Sequence, residues 1–224
     1  DDVQQLNLAR NQRETWLVKN SFKYQINEGG RQLGKLNHSD STSSLGTFYD
    51  GGFTEAVFGY AYRPVDNDRL NALVKYTYFY NVPTTEQVGS QSVASQFLQK
   101  SHIAAVDVTY DITQNFTIGG KYAYRLGQVS LDRENPEFFD NNANLYVIRG
   151  DYRFRENWEF LLEARMLDMS DLDESRAGAL ATVSRYLGKH LKIGIGYNFT
   201  DFSDDLTDLS YDHSGAFLSV TGAL

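Results

Sequence analysis

Apolar and polar side chains alternate with a period of two through most of this chain. Leu70, Ala72, Val74, Tyr76, Tyr78 and Tyr80 interleave with Asn71, Leu73, Lys75, Thr77 and Phe79. Successive side chains of a β-strand point to opposite faces, so this repeat makes a two-faced strand and excludes an amphipathic helix. The same pattern returns in Trp16, Val18, Phe22, Tyr24 and Ile26 against Lys19, Ser21, Lys23 and Gln25, and in Ala56, Phe58, Tyr60 and Tyr62 against Glu55 and Arg63. Further along, His102, Ala104, Val106, Val108 and Tyr110 oppose Ser101, Asp107 and Thr109, while Phe116, Ile118, Gly120, Tyr122 and Tyr124 oppose Thr117, Lys121 and Arg125. Tyr146, Ile148, Tyr152 and Phe154 oppose Arg149, Asp151 and Arg153, and Trp158, Phe160, Leu162, Ala164 and Met166 oppose Glu159, Glu163 and Arg165. Leu191, Ile193, Ile195, Tyr197 and Phe199 form another strand, with Lys192 on its other face, and Ala216, Leu218, Val220 and Leu224 close the chain. Alternation is less clean over Gln32 to Ser39 and Ala177 to Tyr186.

The connections alternate in length. Short polar turns fall at Glu28-Gly29-Gly30, Pro64 to Asp68, Asp111 to Asn115, Arg155-Glu156-Asn157 and Gly188-Lys189-His190. Longer loops lie at Asp40 to Gly52, Asn81 to Gln96, Gly127 to Asn142, Asp168 to Ser175 and Thr200 to Ser210. Tight turns on one rim and long loops on the other are the habit of outer-membrane barrels, whose turns are periplasmic and whose loops are extracellular.

Lipid explains this pattern better than water does. In hydrocarbon an unpaired backbone group costs several kcal/mol, so a sheet spans only when its strands close on one another. A mean hydropathy of −0.46 does not oppose this, because a membrane barrel alternates a lipid-facing side chain with a polar one. A soluble barrel or sandwich also alternates, but it would have to house a chain that is 14% aromatic, with 15 Tyr and 14 Phe, inside itself. Aromatic pairs gather at strand ends instead: Tyr60 and Tyr62, Tyr78 and Tyr80, Tyr122 and Tyr124, Tyr152 and Phe154, Tyr197 and Phe199. That is where interfacial girdles belong. The 3 Pro avoid the clear strands, as an unbroken hydrogen-bond ladder requires.

The expected fold is an all-β, antiparallel up-and-down transmembrane barrel of about twelve strands, read as one domain over residues 1–224. Eleven strands are clear, each near the ~9–11 residues a tilted strand needs to cross a bilayer. Barrels of this class have an even strand number, so a twelfth is expected, upstream of the sequence or as a poor strand over Val3 to Leu8. Ten strands, with Glu28 to Gly52 as one large loop, is the alternative. Asp1-Asp2-Val3-Gln4 has neither the basic start nor the apolar core of a secretion signal, which suits a processed chain or one that begins inside a longer protein.

The stretches Tyr62 to Tyr78 (YRPVDNDRLNALVKYTY) and Gly194 to Asp212 (GIGYNFTDFSDDLTDLSYD) resemble the C-terminal barrel region of large, often repeat-bearing Gram-negative surface proteins. Leu33 to Ser39 and Leu187 to Phe199 fit the same pattern. The resemblance implies an outer-membrane barrel continuing at its N-terminus into further sequence. It departs from the family in ending Gly222-Ala223-Leu224, where such barrels finish on an aromatic residue.

Function follows from the faces. Trp16, Phe22, Phe58, Tyr60, Val74, Tyr76, Val106, Ile118, Tyr122, Ile148, Phe160, Leu162, Ile193, Ile195, Leu218 and Val220 are expected to face lipid. Lys75, Asp107, Lys121, Arg125, Arg149, Asp151, Arg153, Glu159, Glu163, Arg165 and Lys192 are expected to line the lumen. Charge rings tune ion passage in a pore, but signs interleaved on neighbouring strands favour pairing across a modest bore that they partly fill. The leading expectation is therefore a membrane anchor with a narrow, charge-lined lumen; a passive porin-like channel for ions or small solutes is the alternative, and a rim hydrolase the third.

A net charge of −8 without a Lys/Arg cluster excludes a nucleic-acid footprint, and no Cys excludes disulfides and thiolate chemistry. The expected partners are outer-membrane lipid and lipopolysaccharide, with upstream or surface partners open. Asp201, Asp204, Asp205, Asp208 and Asp212 crowd one loop but lack the spacing and Gly of a calcium loop, and read as solvated surface. Asp204, Asp205, Asp212 and His213 form the one catalytic constellation worth testing, without a Ser nucleophile in a recognisable turn. His38, His102 and His190 lack ligand spacing, and Gly194-Ile195-Gly196 lacks the third Gly of a dinucleotide fingerprint. No cofactor, metal or catalytic residue is assigned, and the chain is read as a non-enzyme of the outer membrane.

Overall fold

The computed structural model describes residues 13–43, 52–81, 98–132, 135–155, 157–188, 191–202, 206 and 214–222. Twelve strands are present among them: β1 Arg13–Gln25, β2 Gly30–Ser43, β3 Phe53–Tyr62, β4 Leu70–Tyr80, β5 Leu98–Thr113, β6 Phe116–Ser130, β7 Phe139–Asp140, β8 Ala143–Arg155, β9 Trp158–Met169, β10 Glu174–Leu187, β11 Leu191–Asn198 and β12 Gly215–Gly222. Each long strand pairs antiparallel with its sequence neighbours in one sheet. The two-residue β7 lies on the same edge of β6 as β8, continuing its line across a two-residue break. The fold is the all-β, up-and-down transmembrane barrel expected from the alternation. Among the described residues no ladder joins β1 to β12.

Segments that alternate poorly in sequence are nonetheless strands. β2 is in register with β1 and β3, which removes the ten-strand alternative with a single loop over Glu28 to Gly52. Its pattern is blurred because Gly34, opposite Phe22, leaves room for that ring, and a Cβ there would collide with it. Over β10, Ala177, Ala179 and Ala181 pair with Met166, Ala164 and Leu162, so small residues mute the apolar phase.

Strands also run into segments expected as loops. β2 reaches Ser43, β6 reaches Ser130, and β9 is joined to β10 by a 3-10 turn at Ser170–Leu172 and Asp173, whose φ is 50°. Ladder hydrogen bonds belong to the backbone and persist where side chains turn polar, and Asp tolerates the left-handed region. The candidate twelfth strand over Val3 to Leu8 lies outside the described residues.

On the outward face Trp16, Phe22, Phe58, Val74, Tyr76, Val106, Ile118, Tyr122, Ile148, Phe160, Leu162, Ile195, Leu218 and Val220 are exposed, while Tyr60 and Ile193 are half-exposed. Aromatic pairs mark both rims: Phe116 with Tyr152 and Phe154 with Trp158 near the short turns, Tyr76 with His102 and Tyr197 with Phe199 near the long loops. An exposed apolar band this extensive exceeds what a water-soluble surface carries.

Candidate functional site

The other face holds the buried residues, and it divides into two halves. Near the short turns it is charged. Arg149 Nε donates to Asp151 Oδ2 at 3.0 Å, Arg165 pairs with Glu163, and Lys192 pairs with Glu159, which also accepts from Tyr186 Oη at 2.8 Å. Asp107 stands opposite Lys121 in the β5–β6 ladder. Arg153 and Lys192 both approach the Tyr186 ring, at 5.9 and 5.2 Å.

By register all eleven charged residues singled out above share this face. The ion pairs Arg149–Asp151, Arg165–Glu163 and Lys192–Glu159 run along the wall. Two ion pairs join residues i and i+2 of one strand, and the third spans from β9 over β10 to β11. The strand pleat puts residues i and i+2 side by side, so Arg149 and Arg165 meet their carboxylates on their own strands. Space remains between them: a cavity of about 480 Å³ runs inward from the turn rim past Gln25, Arg31, Arg63, Asn71, Asp107 and Thr109. A smaller one, of about 60 Å³, lies among Asp107, Gly119, Lys121, Arg149 and Glu163.

Near the long loops the same face is dry. Phe79, Ile103, Ala105, Ala123, Ala143, Leu145, Val147, Leu167 and Met169 form one buried cluster with Phe202 and Leu206, which come from the connection between β11 and β12. Ala105, Ala123, Leu145 and Leu167 are consecutive partners across β5, β6, β8 and β9. Arg125 is not the open lining charge the sequence suggests. It is 1% exposed, its Nε donating to Ser101 Oγ at 3.0 Å, its Nη1 to the Leu206 carbonyl at 3.4 Å, and its guanidinium lying 5.6 Å from the Phe79 ring.

The chain turns inward after β11 because the wall makes room. Thr200, 1% exposed, sits against Gly178, where a Cβ would clash with the threonine side chain. Phe199 N donates to Ala179 O at 2.8 Å, and Asn198 Oδ1 accepts from Thr200 N at 3.1 Å. Beyond these bonds Phe202 and Leu206 lie buried in the barrel interior.

Sequence reasoning missed this apolar half, although its signal is present. The phase that should be polar reads Phe79, Ile103, Leu145, Leu167 and Met169 at the strand ends next to the long loops. Asp204, Asp205, Asp208, Asp212, His213 and His190 lie outside the described residues. Asp201 is exposed, 4.0 Å from Arg176. His38 Nδ1 lies 2.8 Å from Thr54 Oγ1, and Gly194 faces Ser184 and Ser219, a close strand contact. Among the described residues no group of three or more His, Asp or Glu is placed to hold a metal ion, and no helix is long and apolar enough to cross a membrane.

The chain matches no protein-family model and no curated protein. Solved structures similar to it include hydrocarbon channels. A TodX monoaromatic hydrocarbon channel ΔS2 mutant is 12% identical, with a TM-score of 0.48, over 92% of this chain and 72% of that one. The Pseudomonas putida toluene transporter TodX is 10% identical, with a TM-score of 0.42, over 95% and 77%. The barrel assignment itself stands on the strand registers and the exposed apolar band.

Proposed function

We propose that this chain is an outer-membrane barrel forming a narrow channel for small solutes, stoppered near the long loops by Phe202 and Leu206. The carrying observation is the division of the interior: a charged half with open cavities leads from the turn rim to an apolar half filled partly by side chains from one connection. A stopper that belongs to a loop can leave without dismantling the wall. On this reading the sixteen apolar residues of the outer face meet lipid, the charged residues of the inner face other than Arg125 line the lumen, the turns are periplasmic and the loops extracellular. The barrel is one domain over residues 1–224, at the C-terminal end of a larger surface protein, in contact with lipid and lipopolysaccharide.

Without the buried Arg125, six of the ten lining charges are basic, although the whole chain carries −8. The lumen therefore favours anions. Reconstituted in planar bilayers, the protein should show rare, small openings, and Phe202→Ser with Leu206→Ser should raise the open probability severalfold. A second reading, the membrane anchor, is favoured by the ion pairs Arg165–Glu163 and Lys192–Glu159, which occupy lumen space. It predicts silence from both proteins, and that outcome rejects the channel.

A further inference from the structure

The outward face carries few charges. Of the strand residues that register places there among the described ones, the Lys or Arg positions are Arg155 and Arg185, which both stand opposite Trp158 near the turns, and Lys100 at the other rim. Arg185 packs over Trp158 near the turns, 5.3 Å from its ring. Lys100, near the long loops, opens onto a groove of about 640 Å³ bounded by Tyr78, His102, Leu126, Gln128, Asp140 and Asn142.

The groove is amphipathic. Leu126, half exposed, and Tyr78 give it an apolar floor, and its polar groups are already oriented. Tyr76 Oη lies 2.6 Å from His102 Nδ1, so the other ring nitrogen, Nε2, is left to face a ligand. Asn142 Oδ1 accepts from Gly127 N at 3.2 Å, which turns its amide nitrogen to donate. The Asp140 carboxylate accepts from Gln128 Nε2 at 2.9 Å. Lys100 Nζ sits 4.2 Å from the Phe138 ring centre, and among the described residues no carboxylate pairs with it. An ammonium on an apolar wall, with the nearby Asp140 carboxylate engaged by Gln128 and not in ion-pair contact, calls for an anion from the surroundings.

We infer that this groove binds the phosphorylated headgroup of an outer-leaflet lipid, with Lys100, His102 and Asn142 donating to phosphate and one acyl chain lying along Leu126 and Tyr78. Lipid is the source favoured over free phosphate because the groove opens sideways from the apolar band and offers a hydrocarbon floor beside the cation. Basic side chains near a membrane surface attract anionic headgroups in this way. The inference rests on the proposed membrane orientation and not on conduction, so a barrel that holds lipid yet never conducts loses the channel and keeps this site.

The test is native mass spectrometry of the detergent-purified full chain with added diphosphorylated lipid A, dephosphorylated lipid A, or inorganic pyrophosphate. Lipid A should bind, and Lys100→Ala with His102→Ala should weaken binding by roughly tenfold or more, the scale of losing charge-assisted hydrogen bonds. Lys100→Arg should retain most of it, which separates charge recognition from a folding defect; circular dichroism of each variant checks the β-content. Equal binding of the dephosphorylated lipid, equal binding by the double Ala variant, or binding of pyrophosphate as tight as that of lipid A would each overturn the site.

Discussion

Near the long loops the barrel interior is packed like the core of a soluble protein, with Leu145 and Leu167 fully buried against Phe202 and Leu206. Near the short turns the same strands present Arg149, Asp151, Glu163 and Arg165, held in pairs beside open cavities. Strand geometry is the same in both halves, so backbone pairing does not set the difference. The inward residue type does. Apolar neighbours gain from excluding water and from mutual contact, whereas charges tolerate the interior only when met by partners or water. One half therefore supplies cohesion, and the other keeps space that solvent can enter.

The sharpest way to break this contrast is to remove bulk from the dry half. Leu167→Ala should cost about 2–5 kcal/mol, the range for emptying a packed site, read from urea unfolding of the protein folded in detergent. A loss under ~1 kcal/mol would mean the half is not packed as described. In the charged half, Glu163→Leu should cost roughly 2–3 kcal/mol by leaving Arg165 unpaired, and adding Arg165→Met should recover most of it, since buried pairs are replaceable by apolar residues. A double variant as unstable as the single one would show that the pair itself is needed. Gly178→Val tests the border between halves. It should displace Thr200, costing about 1–2 kcal/mol from crowding, while raising single-channel open probability. The smallest effect is on selectivity: Lys121→Glu should reduce anion preference in reversal-potential measurements without changing stability by more than ~1 kcal/mol.

The fold was legible because period-two alternation follows directly from the pleat, and a buried register cannot slip by one residue without inverting every side chain. Val74, Ile118 and Ile148 announce their face by hydropathy alone. β2 and β10 were obscure for a physical reason: Gly34 and the alanines of β10 take part through backbone pairing and close approach, which hydropathy does not record. The interior was half legible. Its charges were identifiable one by one, but their pairing along the wall depends on side-chain direction, and the burial of Arg125 depends on a carbonyl 81 residues away. No local window contains such a contact.

That distance also bears on assembly. Hairpins joining consecutive strands form between near neighbours in sequence, whereas the bond from Arg125 to Leu206 must wait until both β6 and the end of β11 are in place, because closing long loops is slow and entropically costly. The cork is consequently among the last pieces to seat, and a barrel caught midway through its birth would hold a wetter, more permeable bore than the finished one.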